Sequence, residues 1–210
     1  MLTIIKQRLL KKIFLGKEQY SNKLEYLYFG YGANSNPNFF SKRIKNFEVI
    51  GSANLTGFKL AFNVPCEYVS KGYAGIVNDS ENLVYGTLYK ISREGLELLD
   101  VLEWVDFGFY HRDQKQITYN GKDLLAHIYI PTNPREGLLP SKGYLNMLLS
   151  AGKALGYPED YLEYLATHDY IENFKLDHGF NLADPSKPRL FPVQMYELHD
   201  ILREKLCNII

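Results

Sequence analysis

The order of strand and helix signals constrains the fold of this chain more than any other feature. Leu24–Phe29 is a β-type run that ends in Gly30-Tyr31-Gly32-Ala33-Asn34. Asn36-Pro37 then reads as a helix start, with Asn as the cap and Pro in the first turn. Phe47–Asn63 and Tyr73–Asn78 read as strands punctuated by Gly57, Pro65 and Gly72, and Leu83–Ile91 as a further strand. Ser92 caps a predicted helix to about Glu103. Phe109–Tyr119 and Asp123–Ile130 flank Asn120-Gly121, a hairpin signal because both residues tolerate positive φ. Ser141 opens a helix to about Leu155, and Pro158 opens another to about His168. Strands, one helix, more strands and then helices predict an α+β fold. The sheet is expected to be mainly antiparallel or mixed and to close into a small barrel. A doubly wound dinucleotide fold is excluded, because it needs alternating βαβ units around its glycine fingerprint.

The ends of the chain differ from this middle. Residues 1–20 are basic and amphipathic, with Leu2, Ile5, Leu9 and Ile13 on one helical face and Lys6, Arg8, Lys11, Lys12 and Lys17 against Glu18. Such a helix either lies on an anionic membrane or docks on its own domain or a partner. The narrow stripe favours docking. Residues 24–169 form the expected domain. Residues 170–210 read as a linker, Asp184-Pro185-Ser186-Lys187-Pro188, and then a helix striped by Met195, Leu198, Leu202, Leu206 and Ile209. That stripe must be buried on the domain or on a second subunit, which keeps a homodimer open.

Composition narrows the function classes. The 210 residues are 46% hydrophobic and 23% charged, enough apolar material for a real core. Lys+Arg and Asp+Glu are both 24, so there is no basic surplus for nucleic acid. No stretch reaches the roughly 18 apolar residues of a membrane span. Cys66 and Cys207 form no disulfide framework and no metal spacing, so a reducing cytoplasm is expected. His111, His127, His168, His178 and His199 show no ligand spacing, and no metal is expected. The departure from ordinary usage is tyrosine, with 17 residues.

Two segments are candidates for chemistry. A strand that turns sharply at Tyr31-Gly32-Ala33-Asn34 aims successive backbone N–H groups at one spot, a nest for a carboxylate or oxyanion. The same pattern also fits a plain glycine turn. The second candidate is Glu103, which shares a helical face with Leu99 and Leu96, four and seven residues earlier. A carboxylate on that stripe is partly desolvated and lies near a helix C-terminus, where the dipole disfavours negative charge. Both effects favour proton exchange near neutral pH, the property of a general acid/base. Alternatively the helix ends early and Glu103 turns to solvent. Asp100, three residues away, reads as structural, either partly exposed or capping the next turn.

These residues resemble a known family. Tyr28-Phe29-Gly30-Tyr31-Gly32-Ala33-Asn34 is similar to the opening loop of γ-glutamylcyclotransferases, YFAYGSN. Gly72-Tyr73-Ala74-Gly75-Ile76 resembles their glycine-bearing strand, and Val84-Tyr85-Gly86-Thr87-Leu88-Tyr89 the strand before their catalytic helix. Leu98-Leu99-Asp100-Val101-Leu102-Glu103 with Gly108-Phe109-Tyr110 is similar to their LDxxEG…Y signature. Pro140-Ser141-Lys142-Gly143-Tyr144 and Gly156-Tyr157-Pro158-Glu159-Asp160-Tyr161 look like their closing helices. The ordered set covers Tyr26 to about His168.

The resemblance implies a small β-barrel with surrounding helices and a metal-independent, cofactor-free carbon–nitrogen cleavage linked to glutathione metabolism. A γ-glutamyl amino acid, peptide or amine attacks its own γ-carbonyl through the α-amino group, releasing 5-oxoproline. Glu103 matches the catalytic Glu. Tyr31, Gly32, Ala33 and Asn34 match the substrate-holding loop, and Tyr110 the aromatic residue near the site. Two positions depart from the pattern: Ala33 replaces Ser, and Trp104, the only Trp, replaces the Gly after the catalytic Glu. Both bear on the substrate more than on the reaction. Two alternatives stay open: removal of a γ-glutamyl protecting group from a specialised metabolite, and a non-catalytic member that binds a small carboxylate and recruits a protein or membrane.

Overall fold

The structure, a computed structural model, describes residues 23–65 and 71–172. The predicted helices in 1–20 and 195–209, the 184–188 linker, both cysteines, His178 and His199 lie outside these residues. The elements are β1 (Tyr26–Gly30), α1 (Pro37–Phe40), β2 (Phe47–Pro65), β3 (Gly72–Ile91), α2 (Arg93–Leu102), β4 (Tyr110–Tyr119), β5 (Lys122–Pro131), α3 (Lys142–Leu155) and α4 (Glu159–Ala166).

The strands close into a barrel in the order β1-β3-β2-β4-β5. All neighbouring pairs are antiparallel except the seam, where β1 meets β5 in parallel at Tyr28↔His127. Barrel closure removes the exposed strand edges that would template association. The long β2–β3 pair bends round the barrel through irregularities at Val49/Gly51, Thr56/Phe58 and Phe62/Val64. Such bulges increase local twist and let a long strand curve.

Two runs expected as separate strands are continuous. Tyr73–Asn78 and Leu83–Ile91 are parts of one strand, β3. Thr56 pairs with Leu83 and Phe58 with Asn78, so the polar stretch Asp79-Ser80-Glu81-Asn82 is an excursion opposite Gly57. Gly57 is at φ +83°, which absorbs the kink. β2 pairs with both runs and bridges the irregularity between them.

The local signals act as expected. The Asn36 side chain accepts from the N–H groups of Asn38 and Phe39 at 2.9 and 3.2 Å. The Ser92 hydroxyl accepts from Gly95 N–H, and the Ser141 hydroxyl from Tyr144 N–H. Asn120 and Gly121 both take positive φ in the β4–β5 turn. Strand side chains alternate between two packed layers. Phe29, Leu88, Ala126 and Ile128 pack with Leu145, Leu148 and Leu165 of α3 and α4. Tyr28, Tyr89 and Tyr129 point the other way and pack with Leu96, Leu99 and Leu102 of α2. The end of α2 therefore lies beside the loop that follows β1.

Candidate active site

Glu103 is the C-cap of α2, and its backbone N–H donates to Leu99 O at 2.8 Å. The side chain keeps 15% exposure, so the helix neither ends early nor releases the carboxylate to bulk solvent. Asn34 Nδ2 donates to Glu103 Oε1 at 2.9 Å. Arg43 Nη1 reaches the same oxygen at 3.3 Å. Among the described residues both hydrogen bonds to this carboxylate fall on Oε1, and Oε2 receives none. The guanidinium supplies the opposite charge that a mostly buried carboxylate requires.

Asn34 is the hub of this cluster and is itself buried. Its Nδ2 also donates to the Tyr28 hydroxyl at 2.8 Å, and its Oδ1 accepts from Arg43 at 2.9 Å. Tyr89 donates to its backbone carbonyl at 2.8 Å. The Asn34 side-chain amide is thus engaged with the protein's own groups.

Among the described residues the phenols of Tyr28, Tyr31, Tyr110 and Tyr144 feel the charge of Glu103. Burial is the main cause that pushes each hydroxyl up, Tyr144 to about 12 and the others well above their ordinary value, with the Glu103 charge adding to it. They are neutral around physiological pH. Tyr31 donates to Tyr129 O at 2.6 Å and Tyr110 to Ala74 O at 2.7 Å. The Tyr144 hydroxyl accepts from Ala74 N–H at 3.3 Å and lies against Ala33 N–H. A Cβ on Gly32 would stand 3.1 Å from that hydroxyl, so the glycine keeps the space open.

The predicted residues Tyr31, Gly32, Ala33, Asn34, Glu103 and Tyr110 are therefore brought into one neighbourhood. Sequence reading missed Arg43, Tyr28 and Tyr144 as members. Arg43 carried no signal beyond its charge, whereas Tyr28 and Tyr144 lay inside the quoted motifs. Asp100 is structural as read, but buried rather than partly exposed. It accepts from the Tyr129 hydroxyl at 2.8 Å and pairs with Arg112 at 3.4 Å. Since Tyr31 bonds the Tyr129 carbonyl, Asp100 ties α2 to the loop from behind.

Trp104 sits in the left-handed region, φ 55° and ψ 40°, the conformation a glycine adopts most easily. The turn keeps a glycine-like backbone while the ring is buried at 3% exposure against Phe107 and Phe109, with Tyr110 packed on the cluster. Trp104→Gly is expected to relieve about 1–2 kcal/mol of backbone strain and lose about 3–5 kcal/mol of packing. A net destabilisation of roughly 1–4 kcal/mol is expected by chemical denaturation.

Fold and site together define a class: a closed-barrel α+β domain with one carboxylate held at a helix end among neutral phenols. Comparison with known proteins narrows it. The AIG2-like family model matches residues 83–165. The human protein named gamma-glutamylcyclotransferase is 30% identical over 145 residues, covering 67% of this chain and 77% of its own. Its bovine counterpart is 29% identical over 153 residues, covering 69% and 81%. A solved structure titled gamma-glutamyl cyclotransferase shares the fold, with a TM-score of 0.65 at 24% identity over 85% of this chain and 98% of that one. The chain belongs to the γ-glutamylcyclotransferase family.

Proposed function

We propose that this protein releases 5-oxoproline from a γ-glutamyl amino acid, peptide or amine. The observation that carries the reading is the Glu103 carboxylate, held through Oε1 by Asn34 and Arg43, with no described residue donating to Oε2. In this reading Oε2 takes a proton from the substrate α-ammonium. The freed amine attacks the γ-carbonyl carbon, forming the ring C–N bond and a tetrahedral oxyanion. The oxyanion collapses and the original γ-carbon–nitrogen bond breaks as the departing nitrogen takes the proton back from Glu103; the ring nitrogen then passes its second proton through Glu103 to the departing amine, which leaves as an ammonium. Protons and electron pairs balance without an external reagent.

Both reacting groups belong to one molecule, so the protein's main task is to hold the ring-closing conformation. The Tyr31–Ala33 backbone, with Gly32 leaving room beside Tyr144, is the proposed cradle for the glutamyl end. Oriented donors of this kind stabilise a developing oxyanion by about 3–4 kcal/mol each. The phenol walls are neutral, so a zwitterionic glutamyl group meets one charged acceptor rather than a charged surface. A cytoplasmic location is part of the proposal.

The test is a panel of γ-glutamyl amino acids, dipeptides, glutathione and amines, with 5-oxoproline measured by mass spectrometry. Release from at least one class is expected. No release from any of them would favour the non-catalytic reading.

A further inference from the structure

We infer that Arg43, acting through Asn34, is the positioning residue that fixes Glu103 for the reaction proposed above, on which this role rests. Arg43 lies just beyond α1, with its backbone N–H bonded to Phe40 O at 2.9 Å and its guanidinium over the Phe39 ring at 5.2 Å. From there it reaches groups on two sides of the site. Nη1 donates to Asn34 Oδ1 at 2.9 Å and to Glu103 Oε1 at 3.3 Å, and Nη2 donates to Leu102 O at 3.4 Å. One side chain therefore links the loop after β1, the carboxylate, and a carbonyl in the last turn of α2.

A guanidinium only donates and stays charged, so its presence orients the Asn34 amide. Oδ1 must face Arg43, which leaves Nδ2 to face Glu103 and Tyr28. Arg43, Asn34 and Glu103 then close a triangle of hydrogen bonds in which Oε1 is held from two directions. A glutamate at a helix end has several rotatable bonds, and alone it would sample many positions. With Oε1 held, Oε2 is left for the incoming ammonium. The bond to Leu102 O also places positive charge at a helix C-terminus, offsetting the unfavourable pairing of Glu103 with the dipole. The rival role for Arg43, direct binding of a substrate carboxylate, uses the same charge but predicts different kinetics.

The experiment compares wild type, Arg43→Ala and Arg43→Lys in 5-oxoproline release, with and without low-millimolar guanidinium, alongside crystal structures of the variants. Arg43→Ala is expected to lower kcat roughly 10²-fold, the effect of a misplaced catalytic group, with KM within about threefold of wild type. Arg43→Lys keeps the charge without the fork and is expected to fall between them. Guanidinium is expected to restore Arg43→Ala and not Arg43→Lys. In the Arg43→Ala crystal structure Glu103 is expected to leave Asn34.

An unchanged kcat, or a loss carried by KM, overturns the positioning role; the second result makes Arg43 a substrate ligand. If Arg43→Ala does not fold, Arg43→Lys carries the kinetic comparison. If wild type releases no 5-oxoproline, the reaction reading fails. The positioning is then judged from the structures alone, and Glu103 still bonded to Asn34 in the variant overturns it.

Discussion

Glu103→Gln is expected to lose roughly 10²–10⁴-fold in turnover while the protein stays folded, the range a positioned proton acceptor contributes. The amide has nearly the shape of the carboxylate. Its carbonyl oxygen still accepts from Asn34 Nδ2 and Arg43 Nη1, which lie 2.9 and 3.3 Å from Oε1. What the variant lacks is a basic oxygen for the substrate ammonium. Arg43 is 24% exposed and keeps its bonds to Asn34 Oδ1 and Leu102 O, so only a modest change in stability is expected. Thermal unfolding and turnover measured on one preparation separate the two effects. Wild-type turnover in Glu103→Gln would falsify the assignment of Glu103 as the base.

The second large effect is expected at Gly86. A Cβ there would lie 2.6 Å from Phe29 Cζ and 2.7 Å from Gly30 O. The Phe29 ring is fully buried in the core, and Gly30 O is backbone. Neither can rotate away, so Gly86→Ala must push β1 from β3 where Gly30 pairs with Thr87. Overpacking of this kind costs about 1–3 kcal/mol and occasionally more, and the upper end is expected here. The displaced end of β1 leads directly into Tyr31–Asn34, so turnover is expected to fall beyond the stability loss. Gly57→Ala is the matched control. No atom lies within 4 Å of its Cβ position. At φ +83° it is expected to lose about 1 kcal/mol through strain alone, with kcat unchanged. Equal kinetics for both variants would contradict the coupling of β1 to the loop.

Features that depend on neighbours in the chain were legible in the sequence. The caps at Asn36, Ser92 and Ser141 and the Asn120-Gly121 turn each act over a few residues, so composition at those points is enough. Glu103 was legible because helical periodicity places it with Leu96 and Leu99. Strand continuity was not, because it depends on the partner: β2 pairs with both Tyr73–Asn78 and Leu83–Ile91, which read as separate strands. The hub around Asn34 was hidden for the same reason. Asn34 meets Glu103 across 69 residues, and Arg43 meets it across 60. Pairing of β1 with β3 and packing of α2 on Tyr28, Tyr89 and Tyr129 bring the end of α2 beside the loop after β1. Tyrosine usage acquires two meanings. Tyr85, Tyr157 and Tyr161 form an aromatic packing cluster with ring separations of 5.0–6.0 Å. Tyr28, Tyr31, Tyr110 and Tyr144 instead surround the carboxylate as neutral donors and acceptors.

The central claim is that the glutamyl group closes on itself, without water entering the new bond. Turnover of a γ-glutamyl substrate in ¹⁸O-enriched water, with products resolved by mass spectrometry, tests this directly. The expected product is 5-oxoproline carrying no ¹⁸O. Glutamate labelled with ¹⁸O as the first product would contradict the account, because it would make the protein a hydrolase.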